Sequence, residues 1–234
     1  MSTYYTKLLK KAAQCVAIST WESDLIFTRA KDVKIWLNNE SYLDFGCGPG
    51  VGNVGHNHPE VLQAVKRVFD NNEAGWGGNE LLNKYQIMLA EELCHLTPGR
   101  FSKRVFFSNS GGEAVEAAVI ACIKRRPERR GMLSFIGDFH GRLGFGRTAT
   151  TSRRMHFEGM PQGIEKFYPL IFPAENPEVP MKQEIAEILS TPERYMTYVE
   201  NQIGSFVSEI NFALLELIQG EGGINIAKKE IIQA

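Results

Sequence analysis

The chain has 234 residues, a net charge of -1, and 43% hydrophobic and 23% charged residues, the balance of an ordinary globular protein. That neutrality excludes a global field drawing in nucleic acid or acidic membrane, and no apolar run is long enough to span a bilayer. The length allows one large α/β domain or a domain and a half.

The first residues, MSTYYTKLLKKAAQ, lack the apolar core of a signal peptide. Cys15, Cys47, Cys94 and Cys122 are scattered with no C-x-x-C pair. They read as reduced, buried thiols of a cytoplasmic protein.

Residues 3–14 suit a short amphipathic helix. Leu25 to Phe45 alternates well enough for two or three short antiparallel strands, with turns at Lys31-Asp32 and Asn38-Asn39. Gly46 to Gly55 (GCGPGVGNVG) holds five glycines and a proline, which predicts a shaped loop and no regular structure. Pro59 then opens a helix over Glu60 to Phe69. His56 and His58 stand two apart with no third ligand near in sequence, so capping and packing are expected rather than a metal site. Asn71 to Gly78 reads as a loop around Trp76. Leu81, Leu82, Tyr85, Met88, Leu89, Leu93 and Leu96 follow helical spacing within Asn79 to Leu96, and Pro98-Gly99 ends that helix.

The stretch RVFFSNSGGEAVEAAVIACIKRR, Arg104 to Arg126, predicts a strand, a tight loop and a buried helix. Ser108, Asn109 and Ser110 are turn and cap residues. Gly111 and Gly112 remove side chains where the first-turn N–H groups of the helix face outward. Those groups would cradle an anion; the same residues would equally make an ordinary capped connection. Neither G-x-x-x-x-G-K-[ST] nor G-x-G-x-x-G occurs here. A small phosphate monoester therefore fits better than a triphosphate or a dinucleotide.

Met132 to Ile136 predicts the next strand, which runs into Gly137-Asp138-Phe139-His140-Gly141-Arg142. An aromatic followed by His and Gly past a strand end stands where open α/β sheets place ligands. Phe139 would either lie flat on a planar ring or fill core. Thr148 to Ser152 is polar and β-prone. Residues 156–190 carry five of the ten prolines and read as an irregular surface excursion. Pro192 to Gln202 suggests a helix. Phe212 to Ile218 suggests a strand buried on both faces, with Glu216 inside it as an anomalous carboxylate in need of partners. Gln219 to Gly223 is a flexible polar loop, and Ala227 to Ala234 a last helix.

Strands alternating with helices from residue 59 argue for a mostly parallel sheet with helices on both faces. Three loops, at Ser110–Gly112, Phe139–His140 and Glu216–Glu221, would then converge on one crevice. A phosphate cup, a flat aromatic and carboxylates describe a site for a phosphorylated planar cofactor, of which pyridoxal 5′-phosphate is the economical candidate. No metal is expected there.

The same motifs, in the same order, resemble the class III (omega-type) aminotransferases, 4-aminobutyrate/ornithine-type branch. They are GHNHPEVLQAV, SNSGGEAVEAA, FHGR and LELIQGEGG. The resemblance covers nearly the whole chain and implies an incomplete type I pyridoxal-phosphate fold: residues 1–55 as part of a small domain, and 56–234 as the first part of the large cofactor-binding domain. It implies that Ser110, Gly111 and Gly112 hold the cofactor phosphate, that Phe139 stacks on the pyridine ring with His140 beside it, and that Glu216 lies near the ring's substituents. It gives Glu221 the role of a switch carboxylate paired with a distant Arg.

The implied activity is amino transfer from an amino or omega-amino donor to a 2-oxo acid, in a homodimer, without nucleic acid or membrane partners. Two residues depart from the family pattern: Gly112 stands for Thr or Ser, and Leu217 for Pro. The family's Asp-Glu-x-x-Gln strand and its Schiff-base lysine are not matched. The expectation is therefore the amino-terminal half of such an enzyme, inactive alone, or alternatively a non-catalytic remnant that binds phosphorylated ligands weakly.

Overall fold

The computed structural model describes residues 3–16, 24–73, 81–156, 158–159, 164–175 and 183–234. The chain divides into two compact units, Met1–Phe101 and Ser102–Ala234, where the sequence predicts a division at residue 55.

The first unit opens with α1 (Thr3–Cys15) and a meander of β1 (Phe27–Lys31), β2 (Lys34–Leu37) and β3 (Glu40–Leu43), each antiparallel to the next. The turns fall where Asp32 (φ 51°), Asn38 (48°) and Asn39 (77°) take left-handed backbone, which Asp and Asn tolerate better than most residues.

The glycine-rich loop is not wholly irregular, as expected, but winds one helical turn, α2 (Cys47–Gly50). Asp44 closes it. One carboxylate oxygen accepts from the Gly46 and Cys47 N–H groups at 2.9 and 3.1 Å, and the other meets His56 Nε2 at 2.6 Å. The His56 hydrogen bond, then the Gly46 N–H, hold the Asp44 carboxyl below its usual range. Next come α3 (Pro59–Asp70), with Pro59 at its first turn, and α4 (Lys84–Leu96).

Helix α4 starts later than the leucine spacing predicts. Asn83 caps it and forms a reciprocal box with Gln86, and this local hydrogen bonding overrides the apolar period. Leu81 and Leu82 lie outside the helix, exposed. The loop around Trp76 falls largely outside the described residues. The cysteines are not buried as expected: Cys15 is exposed and the others are half-buried.

The second unit opens with Ser102–Ser110, then α5 (Gly111–Arg125), β4 (Gly131–Phe135), α6 (Gly144–Ala149), β5 (Lys166–Leu170), α7 (Gln183–Ile188), α8 (Pro192–Ile203), β6 (Ile210–Ala213) and α9 (Lys229–Gln233). Among the described residues its sheet has the order β5-β4-β6, with both pairings parallel.

Side chains of β4 alternate between two cores, as the two-residue period of a strand requires. Met132 packs with Ala149 and Ile164, joined by Phe145 of α6. Phe135 and Leu133 pack with Leu170 and Ile203, joined by Val199 of α8. Helices therefore cover both faces of β4.

Arg104–Phe107 pairs with no strand among the described residues; its Val and Phe supply β propensity, but a strand also needs a ladder partner. Thr148 belongs to α6 rather than to a β run, and its hydroxyl reaches the Gly144 carbonyl at 3.4 Å. The excursion 156–190 contains β5 and α7. Pro169 lies within that proline-rich run, yet β5 ends the order among the described residues, where a proline nitrogen turned away from β4 costs no ladder bond. The predicted strand Phe212–Ile218 is shorter and displaced to Ile210–Ala213, and Leu217 and Ile218 beyond it are exposed.

Candidate active site

The loops that follow β4 and β6 meet the amino-terminal end of α5 at the carboxyl ends of the strands. Helix α5 begins there because Ser110 is an extended N-cap whose hydroxyl accepts from Glu113 N–H at 3.2 Å. Glu113 reaches back, its carboxylate accepting from Asn109 N–H at 2.7 Å, a reciprocal cap of known worth.

The Ala114 N–H is bonded to the Ser110 carbonyl. Gly111 and Gly112 are the first two residues of α5, where the N–H groups have no carbonyl earlier in the helix to bond. Nothing stands within 4 Å of where a Cβ on Gly111 would be.

The β4 loop lies directly against this cup. A Cβ on Gly141 would stand 3.3 Å from the Gly112 Cα, and Gly141 has φ 106°, a backbone open to glycine at least cost. Glu116 of α5 reaches across to accept from Gly146 N–H at 2.7 Å. Thr150 holds the turn from beneath: its hydroxyl accepts from His140 N–H at 2.9 Å and lies 2.7 Å from the Gly141 carbonyl.

The β6 loop joins from the other side through Glu216. One of its oxygens accepts from Phe139 N–H at 2.7 Å and the other from Gly220 N–H at 3.2 Å. The carboxylate that looked anomalous in the sequence is thus half-buried and fully partnered. Gly222 allows the two loops to touch, since a Cβ there would lie 2.4 Å from the Gly137 carbonyl.

Phe139 is half-buried, its ring 5.5 Å from that of His156 at 64°. Beside it, His140 is buried and its Nε2 is 3.1 Å from Asp138 Oδ2. Glu221 closes the same stretch of loop as Glu216. Its carboxylate meets Arg153 Nε at 3.1 Å, accepts from the Ser152 hydroxyl at 3.1 Å, and lies 3.8 Å from His156 Nε2.

Of the seven sequence candidates, Ser110, Gly111, Gly112, Phe139, His140 and Glu216 therefore lie on loops in mutual contact, and Glu221 stands further along the loop that carries Glu216. Asp138, Thr150, Arg153 and Gln219 join these residues without being sequence candidates. The signal for two of them was present: Asp138 sits inside GDFHGR and Gln219 opens QGEGG, each a polar residue at a strand end among glycines.

The family model for aminotransferase class-III matches residues 17–234. A probable 4-aminobutyrate aminotransferase of Bacillus subtilis is 32% identical over 199 residues, covering 84% of this chain and 44% of that protein. The chain thus spans less than half the length of this relative. Among solved structures, an (S)-enantioselective omega-transaminase from Thermomicrobium roseum superposes with a TM-score of 0.79 at 25% identity, over 97% of this chain and 52% of the other. The taurine:2-oxoglutarate aminotransferase of Bifidobacterium kashiwanohense, in complex with PLP and glutamate, gives 0.81 at 19% identity over 97% and 51%.

Proposed function

The chain belongs to the class III aminotransferases, and from that premise we propose that the crevice of its second unit takes pyridoxal 5′-phosphate. The observation that carries the reading is the pair of first-turn N–H groups at Gly111 and Gly112, on the positive end of a 15-residue helix with open space before Gly111. A phosphate monoester is a dianion that needs such donors and such a dipole. The residues present fit the group.

In this reading Ser110 fixes the cup by capping the helix, while Gly111 and Gly112 donate to the phosphate. Phe139 faces the pyridine ring with His140 beside it. Glu216 holds the Phe139 backbone in place near the ring's substituents, and Glu221 is the carboxylate that adjusts the substrate side of the crevice. When bound, the coenzyme supplies the electron sink for charge developing at the donor carbon.

For the complete protein we propose amino transfer from an amino or omega-amino donor to a 2-oxo acid, in a homodimer. The name of the 4-aminobutyrate relative supports that substrate class. Exposed apolar residues on α3, Val61, Leu62, Val65 and Phe69, support a covered face there. A monomer by sedimentation velocity at micromolar concentration would contradict the dimer.

For the 234 residues alone, the reading is non-covalent binding. Lys124 lies in the last turn of α5, about 20 Å along the helix from Gly111. Lys166 begins β5 at the opposite end of the sheet and pairs with Glu209. The Lys228 ammonium donates to the Leu189 carbonyl at 2.6 Å. Lys182 lies outside the described residues. Borohydride reduction in the presence of the coenzyme should leave no specific lysine adduct by mass spectrometry; one specific adduct would overturn this. The cup itself is tested by titrating pyridoxal 5′-phosphate against wild type and Gly111→Asp, which should lose affinity at least tenfold. Equal affinity would remove the assignment.

A further inference from the structure

Asp138 has no measurable exposure, and a carboxylate in such a place must be fully hydrogen-bonded to be tolerated. Its two oxygens serve two different loops. Oδ2 faces His140 Nε2 at 3.1 Å, and Oδ1 accepts from Gln219 Nε2 at 2.8 Å. His140 stands on the loop after β4 and Gln219 on the loop after β6.

The Gln219 amide can be oriented in only one way. Its Nε2 also donates to the Ile136 carbonyl at 3.0 Å, and its Oε1 accepts from Asn225 Nδ2 at 3.0 Å. Gln219 therefore turns a donor, and only a donor, toward Asp138. An imidazole nitrogen beside a carboxylate oxygen must carry the proton, so the hydrogen bond selects the tautomer.

We propose that Asp138 is the positioning residue of this crevice: a single buried carboxylate that holds the Gln219 loop in place and fixes His140 as its Nε2–H tautomer. The bearing on catalysis rests on the reading that His140 stands beside the coenzyme. The tautomer itself does not, and it is measurable with nothing bound.

Replacing Asp138 by Asn substitutes an NH2 group for one oxygen. Gln219 only donates toward this position, so the amide oxygen must face it. The NH2 then faces His140, where two donors cannot meet, and His140 must surrender its Nε2 proton and become the Nδ1–H tautomer.

The test is 15N NMR of the imidazole nitrogens in the 234-residue chain at pH 8, where an ordinary imidazole is neutral. In wild type, His140 Nε2 should show the shift of a protonated nitrogen and Nδ1 that of a bare one. In Asp138→Asn the pattern should invert, with the Gln219 side-chain amide signals still resolved. A wild-type His140 whose Nε2 is bare overturns the proposal without any variant. So does a folded Asp138→Asn protein whose His140 pattern is unchanged. If Asp138→Asn does not fold, the wild-type spectrum alone decides. Loss of the Gly111 and Gly112 response to pyridoxal phosphate with the tautomer intact would count against the coenzyme reading and not against Asp138.

Discussion

The Cα of Gly112 stands 3.3 Å from the point where a Cβ on Gly141 would sit, so the helix cup and the β4 loop are in backbone contact. Gly141 also has φ 106°. Gly141→Ala should therefore destabilise the chain by about 1–3 kcal/mol, from strain and crowding together. A urea melt measures it. A midpoint equal to wild type would mean that the two loops are not in contact.

Gly111 and Gly222 should respond oppositely. Open space surrounds Gly111, and Gly111→Ala should change stability by no more than about 0.5 kcal/mol. A Cβ on Gly222 would meet the Gly137 carbonyl at 2.4 Å, and Gly222→Ala should cost about 1–3 kcal/mol by overpacking. Paired melts check the contrast, and its reversal would contradict the loop geometry.

Glu216 accepts two backbone N–H groups, one per oxygen. Gln at this position keeps one acceptor and turns an NH2 toward the other donor. Glu216→Gln should cost about 1–3 kcal/mol and raise hydrogen-exchange rates at Phe139 or Gly220. Unchanged exchange at both amides would sink the assignment.

The first unit has its own acid signature. Hydrogen bonds from Lys84, Tyr85 and Asn71 draw the Glu73 carboxyl down from 4.5 to about 2. A depressed folded-state value means that the pairing stabilises above pH 4.5 and is lost as pH falls toward 2. A 13C titration of the Glu73 carboxyl should give a midpoint near 2, moving upward in Lys84→Met. A midpoint at the ordinary value would contradict the pairing.

What the sequence made legible was whatever local chemistry dictates. Asn38-Asn39 and Asp32 marked turns because their side chains tolerate left-handed backbone. Pro59 marked a helix start, and Ser110-Gly111-Gly112 marked a capped cup. The strand order was not local. Lys166–Leu170 was hidden among prolines; the N–H that Pro169 lacks matters only where it would face a partner strand, and pairing is a property of the fold. The Glu216 anomaly was visible, but its partners were not, because Phe139 N–H lies 77 residues away. Asp138 and Gln219 escaped notice for the same reason, being 81 residues apart.

The most direct measurement is the amide spectrum of the isotopically labelled chain during titration with pyridoxal 5′-phosphate, with unphosphorylated pyridoxal as the comparison. The Gly111 and Gly112 N–H signals should shift the most, saturably, and only with the phosphorylated compound. Shifts of equal size with both compounds, or these two signals staying fixed while others move, would show that the α5 terminus does not hold the phosphate.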